Sequence, residues 1–137
     1  MSAIPYLDFN GRCEEAIEFY RKTLGAKVDM MMRFSESPEQ GCEGRSPPGY
    51  KIMHASVTID GSPVMMSDGY SNGSPKFEGI GMAVSLPDEA AVKRTFDALA
   101  DGGQVTMPLD RTFWSPSFGM VKDRFGLDWM VMVAQKM

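Results

Sequence analysis

Residues 13–30, CEEAIEFYRKTLGAKVDM, decide the fold. Cys13, Ala16, Ile17, Phe19, Tyr20 and Leu24 recur mostly at steps of three and four, the spacing that lines one side of an α-helix, and Glu14, Glu15, Glu18, Arg21 and Lys22 fall to the water side. Gly25 ends the helix, because a residue without Cβ enters the left-handed conformation that closes it. A strand over 28–34 follows. Another over 4–9 precedes, with Asn10-Gly11 as the turn and Asn10 as the expected helix cap.

The same order recurs later in the chain. Adding 77 to the numbering carries Leu7 to Val84, Phe9 to Leu86, Phe19 to Phe96, Gly25 to Gly102, Val28 to Val105 and Met30 to Met107. Adding 65 carries Val57 to Lys122, Gly61 to Gly126, Val64 to Trp129 and Met65 to Met130. Each match is weak alone, but their order is shared, so two copies of a strand, helix, strand, strand, strand unit are expected. The fold class is α+β. At 137 residues the chain is expected to be one domain, 1–137, built of two modules at about 1–70 and 79–137. Either module alone hides too little apolar area to offset its chain entropy comfortably.

Between the first helix and the second lie a loop and a hairpin. SESPEQGCEGRSPPGY, residues 35–50, is rich in Pro, Gly, Ser and charge. It reads equally as a cover over a site and as a surface insertion without a role. Residues 52–59 and 62–67 form a hairpin closed by Asp60-Gly61, a dipeptide that tolerates positive φ at both central positions. With 59 opposite 62, one face carries Met53, Ala55, Val57, Ile59, Val64 and Met66, and packs on a helix. The other carries His54, Ser56, Thr58, Met65 and Ser67, four of them hydrogen-bonding types, which suit a wet cavity wall or a solvent face.

The second module repeats the plan. A strand over 79–86 leads to a helix opened by Pro87-Asp88 and running to about residue 100, closed by Gly102-Gly103. Strands over 105–109, 117–123 and 129–133 complete it, the last two joined by a turn at Phe125-Gly126. Trp129 is expected in the core. Phe113 and Trp114 stand in a loop between Arg111 and Pro116, lining a groove mouth or a dimer contact, or packed in the core. Met30, Met31 and Met32 read as core and interface filler.

Charge and composition exclude several partners. Eighteen acidic against fourteen basic residues give a net charge of -4, and no Lys/Arg cluster offers a counter to a row of phosphates, so no nucleic acid is expected. No apolar run reaches the roughly 20 residues of a membrane span and no secretory leader is evident, so a cytoplasmic protein with no membrane partner is expected. Cys13 is read on the buried side of its helix and Cys42 in a loop, two unrelated thiols without metal spacing.

Three blocks, IPYLDFNGRCEEAIEFYRKTLGA, KIMHASVTIDGSPVMMSD and TFWSPSFGMVKDRFGLDWMV, together resemble the vicinal oxygen chelate superfamily of glyoxalases, extradiol dioxygenases and bleomycin-resistance proteins, and within it the PhnB-like branch. The resemblance implies paired βαβββ modules forming cupped sheets around a groove, and commonly a homodimer that exchanges modules. It also implies metal ligands, usually His and Glu, on the first and last strand of each module. By position these fall at Pro5 or its neighbours Ile4 and Tyr6, at Met65, at Gly81 and at Met130. Thioether, glycine and proline do not hold a hard or borderline divalent cation, so no metal and no cofactor are expected there. The methyltransferase label common in that branch finds no glycine-rich strand-to-helix turn for an adenosyl cofactor.

The expected function is therefore metal-free binding of a small organic ligand by a homodimer. Its proposed walls are Tyr6, Asp8, His54, Ser56, Thr58, Met65, Ser67, Gly81, Phe113, Trp114 and Met130. The alternative is an isomerase, lyase or transferase in which His54, the only histidine, works as acid/base with Asp8 or Asp123. A lone strand histidine with a purely structural role is the plainer reading, and a partner-binding protein with a filled groove is a third.

Overall fold

The two helices form where the three-to-four spacing places them. α1 runs Cys13–Leu24 and buries Cys13, Ala16, Ile17, Phe19 and Tyr20. Glu14 and Glu15 stand in its first turn and Arg21 and Lys22 in its last, each sign at the end where the helix dipole favours it. Gly25 closes it at φ 67, with its N–H donating to the Arg21 carbonyl. α2 runs Glu89–Ala100 and buries Ala91, Val92, Thr95, Phe96 and Leu99. The Asp88 carboxylate caps it by accepting from the Ala91 N–H at 2.8 Å.

The expected cap of α1 is corrected. Arg12 occupies the capping position without a side-chain bond, and Asn10 sits at φ 47 in the turn, where its N–H donates to Asp8 Oδ1 at 2.9 Å. The first-turn N–H of Cys13 instead donates to the buried carboxylate of Asp68 at 2.7 Å. A residue 55 positions away does what a local cap was expected to do.

A computed structural model describes residues 3–36, 49, 51–69 and 75–134. It divides into two compact units, Met1–Pro75 and Lys76–Met137. In the first unit β1 (Tyr6–Asp8), β2 (Lys27–Arg33), β3 (Ile52–Ile59) and β4 (Ser62–Ser67) form a sheet of order β1-β4-β3-β2. In the second, β5 (Gly81–Leu86), β6 (Gln104–Asp110), β7 (Phe118–Lys122) and β8 (Asp128–Val133) form one of order β5-β8-β7-β6. Each unit is thus a βαβββ module with one parallel pair, β1 with β4 or β5 with β8, and antiparallel pairs elsewhere. The long helix crossover is what permits the parallel neighbour.

Strand ends differ from expectation by small amounts. β1 covers only Tyr6–Asp8, and β2 stops at Arg33 where a 3₁₀ turn, Phe34–Glu36, begins. Nearly all of the loop expected over 35–50, Cys42 included, lies outside the described residues. The first hairpin has the expected register, with Ile59 opposite Ser62 and Ser56 opposite Met65. Its helix side buries Ala55, Val57, Ile59, Val64 and Met66, while Met53 is only half-buried.

The second hairpin corrects one repeat match. Val57 is equivalent to buried Val121, not to Lys122, because Val57 pairs with Val64 and Val121 pairs with Trp129. The extra residue is absorbed in the turn. There Asp123 accepts from the Phe125 N–H at 2.9 Å, the Leu127 N–H at 3.1 Å and the Trp129 indole N–H at 2.9 Å. This holds a longer loop than the two-residue Asp60-Gly61 turn. Trp129 is in the core as expected, 1% exposed.

Candidate functional site

Because strand side chains alternate, each sheet has one face under its helix and one without. On the first unit the helix-free face is read across the strands by register. Tyr6 pairs with Met65, Met65 with Ser56, and Ser56 with Met30. In the neighbouring row Asp8 pairs with Ser67 and His54 with Met32. Tyr6 is 54% exposed and Met30 45%, while His54, Ser56, Thr58 and Met65 are half-buried and Ser67 is buried. Apolar bodies and polar tips thus share one surface.

His54 lies beside the Tyr6 ring, with centroids 5.8 Å apart and the rings tilted by 32°. Among the described residues no hydrogen bond joins it to a carboxylate. Asp8 accepts from the Asn10 N–H. Its carboxylate also lies where a Cβ on Gly69 would be, so that position accepts only glycine without rearrangement. Asp123 is 2% exposed and has both oxygens engaged by the turn it holds. Thr58 donates from its hydroxyl to Asp29 Oδ2 at 2.5 Å at the outer end of the same sheet.

Beneath this face a second buried carboxylate ties the unit together. Asp68, 1% exposed, accepts from the Cys13 N–H at 2.7 Å and from the Ile52 N–H at 2.6 Å, joining the start of α1 to the start of β3. Burial, reinforced by the nearby charges of Asp68, Asp8 and Glu14, pushes the Cys13 thiol far above its ordinary range. It is a packed apolar group rather than a nucleophile. On the surface, Arg33 reaches across to Glu14 at 2.8 Å and holds its carboxyl below the usual value.

The second unit has its own helix-free face. Ala83 pairs with Met130, Met130 with Met120 and Met120 with Met107, so three thioethers stand side by side on adjacent strands. Met107 is 43% exposed, Met130 37% and Met120 half-buried. Gly81, also exposed, stands opposite Asp128 in the same sheet. Phe113 and Trp114 lie in the loop between β6 and β7, their rings 4.7 Å apart edge to face, with Trp114 stacked edgewise on Phe118 at 5.3 Å. Phe113 is 97% exposed, which excludes core packing within its unit. Residues Arg111 to Pro116 border an open depression of about 290 Å³.

Sequence reasoning missed Met107 and Met120, and it assigned Met30, Met31 and Met32 to filler. Met30 and Met31 are 45% and 39% exposed and belong to no core of their unit. The signal for Met120 was its place between buried Gly119 and Val121, a period-two alternation already visible beside Met130.

Residues 6–131 match the Glyoxalase/Bleomycin resistance protein/Dioxygenase superfamily, and the chain belongs to that family. The Protein YjdN of Escherichia coli (strain K12) is 37% identical, the match covering 99% of this chain and 97% of that protein. The crystal structure of protein PA1353 from Pseudomonas aeruginosa is 39% identical and superposes with a TM-score of 0.84, covering 99% of both chains. The PhnB protein from Bacillus cereus is 27% identical with a TM-score of 0.80, covering 98% of this chain and all of that one.

Among the described residues no group of three or more His, Cys, Asp or Glu is placed to hold an ion. The positions at which the family resemblance implies ligands are Pro5 or its neighbours Ile4 and Tyr6, Met65, Gly81 and Met130, and none offers imidazole or carboxylate. Among the described residues no helix is long and apolar enough to cross a membrane.

Proposed function

We propose that this chain is a PhnB-like member of its superfamily that binds a small organic molecule on its helix-free sheet faces without a divalent metal. The observation that carries this reading is the face of the first unit, where Tyr6, His54, Ser56 and Met65 stand accessible on one surface although the opposite face of the same strands is packed under α1. Apolar surface with a few fixed polar groups is the composition of ligand sites. Ser67, Thr58 and Asp8 border it, and Gly81, Met130, Phe113 and Trp114 provide the corresponding surface of the second unit.

In this reading His54 is a hydrogen-bonding group that orients the ligand, with Tyr6 as a stacking platform. Asp123 serves the turn rather than the ligand. The protein acts as a cytoplasmic homodimer, a state that sedimentation of the purified chain measures directly. The site is tested by a small-molecule library monitored through backbone amide shifts. Binders are expected to perturb Tyr6, His54 and Ser56, and His54→Ala is expected to weaken them about tenfold, the value of one hydrogen bond to a polar group. Binders that leave those amides unmoved refute the site. Turnover of a bound compound by wild type, lost in His54→Ala with the fold intact, would show acid/base chemistry instead.

A further inference from the structure

The thioether row of the second unit has a coordination chemistry that the organic-ligand reading does not use. Met107, Met120 and Met130 are consecutive partners across β6, β7 and β8. Neighbouring strands lie about 4.8 Å apart, so the three Cα atoms span roughly 10 Å. A methionine side chain has three rotatable bonds and reaches about half that distance, so three sulfurs on one exposed face can converge on a common point. Ala83, next in the row, leaves one side of that point unobstructed.

Sulfur without charge is a poor ligand for hard cations and a good one for soft, monovalent d¹⁰ ions. We propose that Met107, Met120 and Met130 form a trigonal thioether site for Cu(I) or its redox-inert analogue Ag(I) on the helix-free face of the second unit. The same residues that exclude a hard divalent ion from Met130's position select the soft one. The neighbouring row places Asp128 between Gly81 and Lys122, so a carboxylate and an ammonium group of opposite sign flank the site without entering the sulfur set. No redox change is involved: the ion binds as it arrives, and the site stands whether or not an organic ligand is ever found.

The test uses the full chain labelled with ¹³C at the methionine methyl groups. Titration with Ag(I) under chloride-free conditions is expected to shift the methyl signals of Met107, Met120 and Met130 together and to saturate at one equivalent. Anaerobic competition for Cu(I) against a chromogenic chelator gives the affinity, and Met120→Leu, close to Met in volume, is expected to lower it at least tenfold. An amide spectrum of the variant checks its fold, and the wild-type methyl shifts stand without any variant. Absence of saturable shifts at these three methyls overturns the proposal. So does a triple Leu variant that binds as tightly as wild type, or saturation confined to Met30, Met32 and Met65.

Discussion

Asp123 and Asp68 show how much of each unit is held by one buried carboxylate. Asp123 accepts from two backbone N–H groups and the Trp129 indole. Asp123→Ala would leave those donors buried without it, at a cost of about 3 kcal/mol. Urea unfolding followed by tryptophan fluorescence measures it, and a loss below about 1 kcal/mol would mean that the turn finds other partners. Glu14 presents a smaller effect of definite sign. Its hydrogen bond to Arg33 lowers its pKa from 4.5, so its stabilisation is present above that value and is lost as pH falls through the folded pKa. The pair is solvent-exposed, so Glu14→Gln should cost under about 1 kcal/mol at pH 7 and less at pH 3. Equal effects at both pH values would show that the ion pair is not the cause. The roles of Asp123 and Asp68 are not legible in the chain: by residue type Asp123 reads as an acid/base candidate and Asp68 merely follows the hairpin, because the donors they serve are fixed by turn geometry and by contacts across 55 and 16 residues.

At the scale of elements, the distance from helix to sheet is set by residues that lack a side chain. A Cβ on Gly119 would come within 2.8 Å of the Phe96 ring on α2 and of Leu109 on β6. Gly119→Ala should therefore cost about 1–3 kcal/mol through overpacking. Gly126 has φ 88 and nothing within 4 Å of the place an added methyl group would take, so Gly126→Ala should cost about 1 kcal/mol from backbone strain alone. Chemical denaturation of the two variants orders them, and a larger loss at Gly126 would place the strain in the turn instead. Both helices, the first hairpin and its register are readable from the chain, because periods of 3.6 and 2 are local properties. The second hairpin is misaligned by one residue in the repeat since its longer turn is stabilised by Asp123, which no periodicity records.

For the whole molecule, the acidic balance governs how it meets other charged bodies. With a net charge of -4 and an isoelectric point near 4.9, the protein should pass unretained through a cation exchanger at pH 7.5 and be least soluble near pH 5. Retention on an immobilised polyanion at neutral pH would show that a local basic patch outweighs the net charge. The duplication is the other property of the whole chain, and the structure bears it out as two βαβββ units.

The amino-acid order alone determined the repeat, the helices and the two faces of the first hairpin, since these follow from residue type and spacing. Tertiary structure alone decided that Met107, Met120 and Met130 are neighbours, that Phe113 is bare and that Asp123 is occupied. Strand order is chosen by global packing, and a sheet brings together side chains that the chain keeps 10 to 23 positions apart.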